Sequence, residues 1–183
     1  DKYAGEWPRA GPFARVFVAL DFRQAVASQH ARELLHHGLG GEGRSALAQQ
    51  IQHAREQRLR TARTASFPSV VLAGDSAQLV DVKAVSADYP LRGALRVADT
   101  AFGTERIARA IPAPGTVWVD ERLLGVLGLQ VGGSIELGAL RFGITQVITF
   151  EPDRGGNLFN YAPRLLMNMV DLERTRLLGP GSR

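Results

Sequence analysis

The spacing of apolar positions changes near residue 60, from a helical period to a strand period. From Asp21 onward, Phe22, Val26, Leu34 and Leu35 recur near the 3.6-residue spacing of one helix face. Gly38, Gly40 and Gly41 follow and suit a C-terminal stop. A second helix is predicted from Ser45, with Leu47, Ile51, Ala54 and Leu59 on one stripe. Ahead of both, Gly5, Pro8, Gly11 and Pro12 mark residues 1–15 as an irregular lead-in. The apolar run Val16 to Leu20 stops at Asp21 and is given no element, so 1–20 stands unassigned.

Beyond residue 60 the signals are those of β-structure. Thr61 to Ala73 is rich in β-formers, with Pro68 pointing to an edge position. Gly74-Asp75 supplies a turn, and Gln78 to Val85 returns with Val80, Val82 and Ala84 on one face. From Tyr89 the chain is punctuated by Pro90, Gly93, Gly103, Pro112, Pro114 and Gly115. Thr116 to Val119 reads as a strand. Asp120 is placed to cap a short helix through Leu127, Glu121 suits its positive end, and Gly128 closes it. Ser134 to Leu137 and Leu140 to Ile148 alternate around Gly138-Ala139, a hairpin with Leu137, Leu140, Phe142 and Ile144 as core candidates. Residues 151–163 form a connector. Arg164 to Val170 reads as a buried strand, and Asp171 as the cap of a final helix through Leu178.

That final piece is too small to fold alone and must pack on the first part of the chain. The expected architecture is therefore an α+β fold. A discontinuous part, 21–88 with 151–183, carries an inserted β-rich part over 89–150.

Composition narrows the class without naming it. The chain has 183 residues, 45% of them hydrophobic and 22% charged, which is ordinary for a globular protein. The absence of cysteine excludes disulfides and thiolate metal sites but does not fix the compartment. Of the 22 basic residues 20 are arginine, giving a net charge of +4. Arg55, Arg58, Arg60 and Arg63 form the densest cluster, yet no aromatic residue lies among them to stack a base. No nucleic-acid partner is expected. No window approaches the roughly 20 apolar residues of a membrane helix, and no signal peptide is read.

Candidate chemistry is sparse. Gly74-Asp75-Ser76 after an apolar strand resembles the nucleophile block of SGNH (GDSL-type) esterases, with Ser76 as nucleophile. That geometry needs a later histidine, and His30, His36, His37 and His53 all precede Ser76. Glu33 and His37 share a helix face, but adjacent His36 and His37 diverge and the Gly-rich end is a poor support. They read as helix-end histidines near the negative pole. Gly38 to Gly43 fits neither a phosphate loop nor a dinucleotide fingerprint. A stand-alone β-barrel binding module is the other alternative, from Leu127-Gly128-Leu129 with Gly132 and Ile135; the segment 164–178 discriminates against it. No catalytic, cofactor or metal residue is assigned.

Four strings carry more. Tyr89-Pro90-Leu91-Arg92-Gly93, Trp118-Val119-Asp120-Glu121-Arg122, Glu151-Pro152-Asp153-Arg154-Gly155 and Pro180-Gly181-Ser182-Arg183 occur in this order. Together they resemble the extracytoplasmic domain of MacB-like ABC transporter permeases, most closely the YbbP-type branch. The resemblance covers about residues 58–183. It implies a discontinuous porter-like part with an inserted sabre-like part, on the periplasmic face of the bacterial inner membrane. It also implies a separate cytoplasmic ATPase partner, a periplasmic esterase partner, and a hydrophobic or lipid-like substrate. The domain itself is expected to catalyse nothing and to hold no cofactor. Tyr89, Arg92, Trp118, Asp120, Glu121, Arg154 and Arg183 are the structural or partner-contact candidates, with Arg92, Arg154 and Arg183 holding turns or junctions through bidentate contacts. The usual first strand of the family is replaced by Gly38 to Gly43.

Overall fold

A computed structural model describes residues 60–154 and 162–177 in full, the backbone of Arg15–Leu20, and the two helical positions Gln52 and Glu56. The first predicted helix and the four histidines lie outside the described residues, as does the second helix apart from those two positions. Gln52 Nε2 donates to Glu56 Oε1 at 3.3 Å, one turn on.

Nine strands form one mixed sheet among the described residues: β1 (Arg15–Leu20), β2 (Thr61–Ala73), β3 (Ser76–Val85), β4 (Arg96–Ala98), β5 (Arg106–Ile107), β6 (Thr116–Asp120), β7 (Ser134–Leu137), β8 (Leu140–Phe150) and β9 (Arg164–Asn168). An α-helix, α1 (Glu121–Leu127), follows β6. The spatial order is β1-β2-β3-β9-β6-β8-β4-β5, with β7 bridging β2 and β8. Strands dominate, consistent with a mixed α+β class. Among the described residues, no helix is long and apolar enough to cross a membrane.

The lead-in contains structure that local sequence did not assign. β1 pairs antiparallel with the first half of β2, Arg15 opposite Ser66 and Leu20 opposite Thr61. β7 takes the same side of β2 at Val71 and Leu72. Pro68, which has no N–H to give, falls between these two partners. The β2–β3 hairpin turns through Gly74-Asp75 as expected, Gly74 adopting φ +56°.

Other expectations hold residue by residue. Asp120 caps α1, its carboxylate accepting from the Arg122 N–H at 3.0 Å, and Gly128 ends the helix in the left-handed region. The β7–β8 hairpin turns at Gly138. A Cβ there would lie 2.2 Å from the Thr175 carbonyl oxygen, so only glycine lets the turn sit against the C-terminal segment. Asp171 is a correction. It caps no helix: Asn168 caps a short 3₁₀ turn at Met169–Asp171, and a second 3₁₀ turn follows at Glu173–Thr175. The Asp171 carboxylate is buried and accepts instead from the Gly115 N–H at 2.7 Å. A 3₁₀ turn tightens the chain too soon for Asp171 to stand free at a helix start.

The returning segment packs where a self-contained barrel would not need it. β9 runs parallel to β3 and antiparallel to β6, in the middle of the sheet. The sheet is continuous across the expected boundaries at 88/89 and 150/151. One core joins Ala65, Phe67, Val80 and Val82 to Val117, Val119, Leu123, Phe142 and Leu165. The opposite face of the same strands carries a smaller core with Ala62, Val85, Tyr89, Leu95, Trp118, Ile148 and Leu166.

Candidate functional site

The second face holds the chemistry. Strand alternation that turns Val80, Val82 and Ala84 into the large core turns Asp81 and Lys83 the other way. Arg164 lies beside Asp81 in the parallel ladder with β9. Tyr89 arrives from the turn after β3, and Glu151 and Asp153 from the turn after β8. Two of the four strings therefore meet in space. The backbones also touch, since a Cβ at Gly93 (φ +71°) would come within 2.6 Å of Pro152 Cβ.

Lys83 is the centre. It is 5% exposed, and its Nζ donates to Glu151 Oε1 at 2.7 Å, Asp153 Oδ2 at 2.8 Å and Tyr89 Oη at 2.9 Å. Those three bonds use its three N–H groups. It also stands 4.6 Å from the centre of the Tyr89 ring. Tyr89 Oη reaches Glu151 Oε1 at 2.9 Å and also contacts Asp153 Oδ1. Arg164 lies 2.8 Å from Asp81 and 2.9 Å from Glu151 Oε2. These are charge contacts rather than aligned hydrogen bonds, for Arg164 Nε, Arg164 Nη1 and Glu151 Oε2 have no hydrogen-bond partner among the described residues. A second knot adjoins. Arg122 grips Asp120 with a two-point fork, Nε to Oδ1 at 3.1 Å and Nη2 to Oδ2 at 2.8 Å, and Arg154 Nη1 donates to Asp120 Oδ2 at 3.1 Å.

Environment decides each proton. Burial, then the charges of Glu151 and Asp153, raises the Tyr89 phenol far above its ordinary value, so it stays a donor. Burial pushes Asp153 up, but the Lys83 charge and the hydrogen bonds from Lys83 and Tyr89 outweigh it and hold the carboxyl below its usual range. Asp120 is likewise lowered: burial opposes, and the hydrogen bonds and charge of Arg122 together with Arg154 prevail. Asp81 goes the other way, because burial outweighs Arg164 beside it.

The predicted residues divide accordingly. Tyr89, Asp120 and Arg154 enter these ionic knots, Arg154 through one contact rather than a fork. Trp118 is a buried member of the smaller core. Glu121 lies in the first turn of α1. Arg92 is exposed and has no hydrogen bond or ion pair among the described residues. Arg183 lies outside them. Lys83, Asp81, Glu151, Asp153 and Arg164 were missed. One signal pointed to Lys83: it is one of only two lysines against 20 arginines, and it sits in the middle of an apolar strand.

Ser76 opens β3 at an exposed hairpin turn, paired with Ala73. Among the described residues no group of histidine and carboxylate side chains could hold a metal ion. A shallow depression lined by Ile148, Thr149, Phe150, Glu151 and Arg154 borders the ionic cluster.

The chain is 34% identical over 133 residues to YbbP of Escherichia coli (strain K12), described as an uncharacterized ABC transporter permease. The match covers 73% of this chain and 16% of that protein. No family model matches the chain, and no solved structure matches it.

Proposed function

The chain is related to the YbbP-type ABC transporter permeases, and on that relation we propose that it forms the extracytoplasmic domain of a permease subunit. In this reading a separate ATPase drives membrane helices, and the domain carries their movement to a hydrophobic or lipid-like substrate being extracted or exported. It catalyses nothing itself. The periplasmic location, the ATPase and an esterase partner belong to the same proposal.

The observation that carries the reading is the 34% identity to a permease over 133 residues. The site geometry supports it. Two of the strings, at 89–93 and 151–155, meet in a buried ionic joint around Lys83. A joint of that kind transmits displacement. The porter-like and sabre-like division enters as a functional distinction only: the parts share the β6–β9 and β2–β7 pairings and would move together.

Topology is the first test. The chain lacks cysteine, and Phe102 is 89% exposed, so Phe102→Cys supplies a single accessible thiol in this segment. In an intact permease otherwise cleared of cysteine, a membrane-impermeant maleimide should label that thiol in unbroken cells. Labelling that needs a breached inner membrane would overturn the extracytoplasmic placement.

A further inference from the structure

The parts of the ionic cluster differ in how free they are to leave it. Lys83 stands within β3 and Arg164 opens β9, so neither departs without breaking the sheet. The Glu151 side chain is 1% exposed, whereas that of Asp153, two residues on, is 51% exposed. Lys83 and Tyr89 together offer four hydrogens to five close contacts: Lys83 with Tyr89, Glu151 and Asp153, and Tyr89 with Glu151 and Asp153. One contact always lacks a proton. The carboxylate that can exchange its partners for water is the one able to yield, since an exposed ion pair holds weakly and a buried one cannot be halved cheaply.

We infer that this arrangement is a clasp, in which Asp153 pins the 151–154 turn to the 89–93 turn and lets go while Glu151 remains in place. When Asp153 turns out, Lys83 keeps Glu151 and Tyr89, so the sheet retains its buried charge balance. The two turns are then held by the Tyr89–Glu151 hydrogen bond and the close approach of Gly93 to Pro152, with Arg154 still on Asp120, and without the Asp153 link. The 151–154 turn gains slack without any strand being broken. The charged and titratable groups around Asp153 are Asp81 and Lys83 from β3, Tyr89, Glu151 and Arg154 from the turns, Asp120 from β6 and Arg164 from β9. The clasp stands on geometry alone and does not require the transport reading.

Hydrogen exchange on the intact permease tests it, comparing wild type, Asp153→Asn and Lys83→Met. Asp153→Asn should speed exchange about tenfold over 89–95 and 150–154, with β3, β6 and β9 exchanging at the wild-type rate. Lys83→Met should speed exchange in those strands as well. The inference fails if Asp153→Asn leaves both turns unchanged. It also fails if that variant opens the strands as far as Lys83→Met does.

Discussion

The two faces of this sheet bury their residues by different means. On one face Phe67, Val82, Val119, Leu123, Phe142 and Leu165 close under α1 with no charge among them. On the other, a small apolar core around Trp118 and Leu166 gives way to Lys83, Arg164, Glu151 and Asp81. An apolar face tolerates repacking, because any shape of the right volume fills it. An ionic face does not, because each group depends on one particular partner. The first gives the domain stability. The second gives the two turns a single docked position.

The largest effect should come from breaking the ionic face at its centre. Lys83→Met leaves Glu151 buried without one of the two cations that touch it, Arg164 being the other, and should cost about 3–5 kcal/mol in urea unfolding. Adding Glu151→Gln should restore part of that loss. If it restored nothing, the two faces would not differ in the way described.

Acid sharpens the contrast at smaller cost. Asp153 and Asp120 have depressed folded values, so their stabilisation is fully present above the unfolded value near 4 and is lost as pH falls through the folded ones. Asp81, raised by burial, has the opposite sign: its ionised form opposes folding at neutral pH, and that penalty disappears as it protonates. The urea midpoint should stay level from about pH 7 to 5 and fall below about pH 4. Asp153→Asn should cost about 1 kcal/mol or less at pH 7 and flatten that acid limb. An unchanged acid limb would remove Asp153 from the account.

At the bottom of the scale is the β4–β5 edge. Glu105 accepts from Arg96 and Thr149 there, which lowers its pKa, but it is solvated. Glu105→Gln should leave the urea midpoint unchanged within error, unlike any substitution in the buried cluster.

Local rules read the local elements well. The Gly74-Asp75 turn, the Asp120 cap, the Gly128 stop and the Gly138 hairpin each depend on a few adjacent residues, and each stands where the sequence puts it. β1 was illegible because its partner is some 45 residues away and pairing leaves no mark on six apolar residues. The ionic cluster was half legible. Tyr89, Asp120 and Arg154 stood out by the strings that contain them, Glu151 and Asp153 were passed over within one of those strings, and Lys83 and Arg164 carry charges normally assigned to the surface. Asp171 misled because an Asp before a short polar stretch suits a cap equally well as a buried acceptor.

The central position of β9 has a consequence for biogenesis. A ribosome delivers this polypeptide from its amino end, so β3 and β6 exist well before the strand that must lie between them. Until residue 168 has emerged, the hydrogen-bonding edges of both strands and the apolar surface beside them stay open. The nascent domain is thus a late folder, most exposed to misassociation just before its final strand slots in.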